Sequence, residues 1–221
     1  MMIEFKTEVM NGSYLKAVFL GLLFVFISPL SADPMIVGGN DIIARFTRDG
    51  AYDITFVDMM NTIQSDSILT GWNIWATSYA HNWSYSTAPR SLKLIIFRTN
   101  ESVLEIVGKS ELETVQEWDR AYHFDLTTPI QVEADDLIGW YFAGNTIPGG
   151  VISFGAGSGH TRWAYGGEIS GTTPLSDFHY GAARTYSINV EGTPAIVPVP
   201  GAVLLGMLGL SVAGVKLRKH A

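Results

Sequence analysis

Two short clusters carry the residue types that grip sugars. One is Tyr79-Ala80-His81-Asn82-Trp83-Ser84-Tyr85; the other is His160-Thr161-Arg162-Trp163-Ala164-Tyr165. A pyranose ring offers a face of C–H groups that stacks on a flat aromatic side chain. Its hydroxyls need Asn, Asp, Arg or His. Tyr79, His81, Trp83 and Tyr85, with Arg162, Trp163 and Tyr165, are therefore the candidate glycan-binding residues. The competing reading is core packing, since aromatic side chains bury the most apolar surface per residue. Packing is the first reading for Trp72, Trp75 and Trp140, which fall inside expected strands. Trp83, Trp118 and Trp163 fall in or beside expected loops, where both readings stand.

Signals for catalysis are sparse. The body histidines His81, His123, His160 and His179 show no His-Glu-x-x-His spacing, and no Gly-x-Ser-x-Gly elbow occurs. The chain has no cysteine, so thiol catalysis is excluded. A carboxylate pair for glycoside hydrolysis needs only to meet in space, which leaves Glu105, Glu133 and Glu168 as nominal candidates. Phe154-Gly-Ala-Gly-Ser-Gly-His-Thr161 is not a phosphate loop: His160 stands where the Lys belongs and no helix follows. It reads as a flexible loop between strands. Asp135-Asp136 lies at a turn between strands. Asp136 is a candidate calcium ligand, because calcium takes carboxylate and carbonyl oxygens; the alternative is that Asp136 stabilises the turn through the backbone.

The elements that must position these residues are strands. Alternating or β-branched runs recur at 51–57, 68–77, 91–98, 103–107, 122–126, 130–132, 137–142, 151–154 and 184–190, punctuated by Gly, Pro, Asn and Asp. This pattern predicts an all-β fold, a single β-sandwich, over residues 33–190. No body segment sustains helical periodicity. Residues 191–200, rich in Pro and Thr, read as a linker.

Both ends differ from the body. Lys16, the apolar run Ala17 to Leu30 and the small residues Ser31-Ala32 form a secretory signal peptide over 1–32, cut after Ala32. At the other end, residues 201–221 hold an apolar span from Gly201 to Val215 and a basic tip of Lys216, Arg218 and Lys219. As a helix the span measures roughly 22 Å, short of the roughly 30 Å hydrocarbon core. It is a marginal transmembrane helix whose tip belongs in the cytoplasm. Removing the two Lys and two Glu before Asp33 and the three cations of the tail leaves a body with nine cations and nineteen anions, a net charge of −10. That balance argues against nucleic acid, which calls for a basic stripe. It suits solubility outside the cell and permits cation binding.

The tail Val197-Pro198-Val199-Pro200, its Gly/Leu/Ala-rich span and its basic end resemble a PEP-CTERM sorting signal of Gram-negative bacteria. Val197, Pro198 and Pro200 match that pattern. Val199 stands where the usual Glu would be, and Leu217 and His220 dilute the basic end. The resemblance implies passage through the Sec translocon, signal-peptidase cleavage, a transient inner-membrane intermediate and processing by an exosortase near the Pro motif. The body would then reach the cell surface or the exopolysaccharide matrix. Within the body, Val107-Gly108-Lys109-Ser110 and Val132-Glu133-Ala134-Asp135-Asp136-Leu137-Ile138-Gly139 resemble jelly-roll-like domains of secreted bacterial proteins, with Asp135 where a Gly is usual. That resemblance implies a jelly roll and no activity.

The expectation is thus an exported, non-catalytic surface or extracellular-matrix protein with no organic cofactor. The alternative is a carbohydrate-binding module that holds exopolysaccharide through the aromatic clusters. A secreted glycan hydrolase is the distant third reading.

Overall fold

A computed structural model of the chain describes residues 33–79, 87–144 and 149–195. The signal peptide, His81, Trp83, Tyr85, the sorting residues Val197, Pro198 and Pro200, and the basic tip of Lys216, Arg218 and Lys219 lie outside the described residues. Among the described residues no helix is long and apolar enough to cross a membrane.

The body is all-β. In chain order its strands are β1 (Met35–Gly39), β2 (Thr47–Arg48), β3 (Ile54–Asp58), β4 (Ser67–Ala76), β5 (Arg90–Asn100), β6 (Val103–Lys109), β7 (Glu113–Val115), β8 (Arg120–Val132), β9 (Leu137–Ala143), β10 (Ser153–Tyr165), β11 (Thr173–Pro174), β12 (His179–Tyr186) and β13 (Ile188–Pro194). A four-stranded sheet runs β1-β13-β4-β8. A nine-stranded sheet runs β11-β6-β5-β9-β3-β10-β12, with β2 added to β10 and β7 to β5. The pairings between these strands are antiparallel.

The two sheets bury one continuous core. From the smaller sheet Leu69, Trp72, Ile74, Phe124, Ile130, Val132, Ile188 and Val190 point inward; from the larger come Phe56, Leu92, Leu94, Ile96, Ile138, Trp140 and Tyr186. Alternation along β4 and β8 produces this, because successive side chains in a strand point to opposite faces. Strand β5 does not alternate. Its run Leu92–Phe97 is apolar because both faces are covered: Ile95 and Phe97 pack into a second cluster with Val57, Leu104, Leu137 and Phe178, overlaid by Ile169 and Leu175. The segment after β10 folds back as that cover. A strand covered on both faces reads as a continuous apolar run.

Trp72 and Trp140 are fully buried, as packing requires. Trp140 stacks on Phe56, with ring centroids 5.7 Å apart at 7°. Two of the motif residues in the jelly-roll resemblance are glycines that admit close neighbours. A Cβ on Gly108 would lie 2.6 Å from the Ile130 side chain of the opposite sheet. A Cβ on Gly139 would lie 2.5 Å from the Phe97 ring and 2.6 Å from the Phe56 carbonyl oxygen. Ser110 closes the same region: its hydroxyl accepts the Leu94 N–H at 2.9 Å and donates to the Glu111 carbonyl.

Three expectations need correction. The glycine-rich stretch 154–161 is not a loop but the first part of β10, paired with β12. Thr127 to Pro129, expected as a gap between two strands, lie within β8, where the pairing with β4 steps from Leu69–Ile130 to Gly71–Asp125. Glu191–Pro194, expected in the linker, belong to β13 and pair with Gly71, Leu69, Ile68 and Ser67 of β4. Thr and Gly are tolerated there because the neighbours on both sides, β1 and β4, supply the ladder, and Pro194 stands at the strand end.

Candidate functional site

Strand β10 delivers the second aromatic cluster. Trp163 pairs with Phe56 of β3 on one side and His179 of β12 on the other. Trp163 is therefore a strand residue, not a loop residue, and it is half-buried against the core. His179 stacks on its indole, with centroids 4.4 Å apart at 25°. Tyr165, two residues on, stands edge-on to Trp163 at 4.5 Å and 75°. The pairing of β10 with β12 shifts register twice, between Ala156 and His160 and again before Arg162. Such irregularities bend a strand and re-aim its side chains.

At this end the inter-sheet core opens into a cleft of about 230 Å³. Its floor includes the core residues Ile54, Phe56 and Tyr186, its walls include Trp163 and Tyr165, and Tyr180 borders it. Tyr165 is 67 % exposed and Tyr180 80 %. A second groove of about 370 Å³, lined by Gly50, Ala51, Tyr52, Asp53, Ile54, Tyr165 and Gly166, shares Ala51, Ile54 and Tyr165 with the first.

The polar groups of the cleft form one network. Arg184 and the hydroxyl of Tyr186 both donate to the Asp49 carboxylate. The Arg184 guanidinium also lies over the Phe154 ring at 4.2 Å. Burial, reinforced by the Asp49 charge, pushes the Tyr186 phenol well above its ordinary range, so it remains a donor. Burial works against the Arg184 cation, but Asp49 and Tyr186 outweigh it and raise the guanidinium. Asp53, which lines the second groove, accepts the hydroxyl of Tyr141 at 2.7 Å. Burial and then that carboxylate push the Tyr141 phenol up to about 12.

Of the sequence-derived candidates, Trp163 and Tyr165 line the cleft. Arg162 does not; it is paired with Tyr180 on the face of the sheet opposite Trp163, with its guanidinium 4.1 Å from the Tyr180 ring and a bond to the Leu175 carbonyl. Tyr79 has a scaffold role: its carbonyl accepts from the Arg48 N–H and the Thr47 hydroxyl, and its ring meets Phe46 edge-on. Trp118 packs against the core with the Arg48 guanidinium 4.3 Å above its ring. Sequence reasoning missed Asp49, Arg184 and Tyr186. The alternation of Ala182, Arg184 and Tyr186 was the available signal.

The candidate calcium ligand is committed elsewhere. Asp136 is 1 % exposed. It accepts Nε and Nη2 of Arg98, each at 2.8 Å, and the Glu133 N–H at 2.8 Å. The Arg98 guanidinium bridges both carboxylate oxygens and the Glu133 N–H takes a second site on one of them, so Asp136 is engaged in the turn-stabilising role. Among the described residues no group of three or more His, Asp or Glu could hold a metal ion. The nominal hydrolase carboxylates are likewise dispersed. Glu168 is held by Lys93 and Lys109 at 2.8 and 2.7 Å, Glu133 by Arg98, and Glu105 by Asn100. None of the three lines the cleft or its neighbouring groove.

No family model, curated protein or solved structure matches this chain.

Proposed function

We propose that this chain is an exported, non-catalytic protein of the cell surface or extracellular matrix, with a jelly-roll-like body that binds glycan in the cleft beside β10 and β12. The observation that carries the binding role is the exposed Tyr165, met edge-on by Trp163 over a floor of core aromatics beside the Asp49–Arg184–Tyr186 network. Exposed aromatics cost solvation free energy unless something covers them, and sugar C–H faces are suitable covers. The delivery role rests on the two terminal segments: a signal peptide that opens translocation and a tail that an exosortase would cut near Pro198–Pro200.

Two measurements test these roles separately. Intact mass of the mature protein from hosts with and without an exosortase tests delivery. The expected result is a chain ending near Pro200 and found outside the cell only when the enzyme is present; an uncut chain in the inner membrane of both hosts refutes it. Co-sedimentation with the host's own exopolysaccharide tests binding. Tyr165→Ala should abolish retention, and unchanged retention refutes the cleft as the site.

A further inference from the structure

We infer that the cleft and the groove beside it are two adjoining subsites for an uncharged glycan chain, and that Asp53 selects against uronate-bearing chains. The inference rests on the glycan-binding reading above and names the ligand class.

Three observations lead to it. First, the two depressions adjoin, sharing Ala51, Ile54 and Tyr165 in their linings. Volumes of about 230 and 370 Å³ lie at or below the lower end of the range for small-molecule sites. Such sizes suit about one ring each, and two adjoining sites suit a chain rather than a monosaccharide. Tyr165 is backed edge-on by Trp163, so a ring stacked there meets a surface that is already held, which lowers the ordering cost of binding.

Second, the cleft's cation is spoken for. Among the described residues that line either depression Arg184 is the one Lys or Arg, and its charge is matched by Asp49. A carboxylate on an incoming sugar would have to compete with Asp49 for it. Third, the described residues that line the second groove include a carboxylate and no cation. Asp53 is exposed, and its one side-chain hydrogen bond among the described residues comes from the Tyr141 hydroxyl. A uronate in this subsite faces Asp53 at short range, and like charges brought together out of bulk water repel. The net charge of −10 on the body acts in the same direction at longer range. Hydroxyl groups meet no such barrier, because a carboxylate accepts their hydrogen bonds.

The test is titration calorimetry on the purified full-length chain. The probes are neutral gluco-, manno- and galacto-oligosaccharides, N-acetylglucosamine oligomers and oligogalacturonate of matched length. We expect saturable binding of at least one neutral series, with about tenfold tighter binding of the tetrasaccharide than of the monosaccharide, as a second occupied subsite worth about 1.4 kcal/mol would give. Oligogalacturonate should bind at least about tenfold more weakly than that series, and Asp53→Asn should close most of the gap. Oligogalacturonate that binds as tightly as the neutral series, and loses binding in Tyr165→Ala, overturns the charge assignment and leaves the glycan-binding reading standing. Equal affinity for monomer and tetramer overturns the two-subsite arrangement. No saturable binding of any probe overturns both the inference and the reading beneath it.

Discussion

The turn between β8 and β9 and the cleft beside β10 and β12 are both rich in polar and aromatic groups, yet they are built in opposite ways. At the turn the polar groups are paired with one another. Asp136 takes Arg98 and the Glu133 N–H, and the chain at Ile63 docks on the turn by donating to the Asp136 carbonyl and accepting the Asp135 N–H. Gly108 and Gly139 nearby let Ile130 and Phe97 close up. At the cleft Asp49, Arg184 and Tyr186 are equally well paired, but the aromatic walls are left facing water and the strand pairing is irregular. The first arrangement secures the fold. The second keeps surface available. The residues that make the sequence look familiar belong to the first region, so the resemblance speaks to the scaffold and not to the ligand.

If that contrast holds, the largest stability effects cluster around the turn. Gly139→Ala tests it most severely. The new Cβ meets the Phe97 ring at 2.5 Å and the Phe56 carbonyl oxygen at 2.6 Å. The ring can shift; the carbonyl, tied into the β3–β9 ladder, cannot. Overpacking of this kind costs about 3 kcal/mol. Urea denaturation measures it. Adding Phe97→Leu should recover only part of the loss, because the carbonyl remains. Full recovery would place the clash in the ring alone, and a loss under about 1 kcal/mol would mean the sheet gives way more easily than its packing indicates.

Asp136→Ala comes next. It strips a bidentate partner from Arg98 and leaves the Glu133 N–H without its acceptor. Arg98 is 36 % exposed in its side chain and can turn to water, so the cost is limited to about 2 kcal/mol, typical of losing hydrogen bonds to a buried charged group. The melting temperature of the parent chain should not respond to calcium. A calcium-dependent rise that disappears in the variant would restore the metal site that the Arg98 geometry displaces.

These two regions were not equally legible in the sequence. The strands of the scaffold were, because a buried face imposes alternation, as in β4, or an uninterrupted apolar run, as in β5. Residues 154–161 were not. Glycine carries no side chain to alternate, so a strand held by pairing on its flanks looked like a loop. Glu191–Pro194 misled for a related reason: Pro and Thr resemble a linker until β4 is known to lie alongside. At the cleft, Trp163 and Tyr165 were visible as a local cluster. Asp49 was not, since its partners Arg184 and Tyr186 stand far along the chain and only the sheet brings them together.

The smallest expected effect gives the finest comparison. Asp135 at the turn and Asp53 at the groove both adopt the left-handed backbone region, with φ of 70° and 53°. An L-residue other than glycine is strained there. At Asp135 the strain has no offsetting side-chain bond among the described residues; the carboxylate is exposed, and what the turn uses is the backbone N–H to Ile63. Asp135→Gly keeps that bond and relieves the strain. It should stabilise the protein by about 0.5 kcal/mol, after the extra freedom glycine gains in the unfolded chain is set against it. At Asp53 the same strain aims a carboxylate at the Tyr141 hydroxyl and presents the carbonyl to the Gly167 N–H. Asp53→Gly relieves the backbone but forfeits the side-chain bond, for a net loss of about 0.5 kcal/mol. Thermal melts of the two variants should therefore move in opposite directions. Were both to rise, the left-handed backbone at Asp53 would be a cost with no return, and its carboxylate would have no claim to being held in place for a ligand.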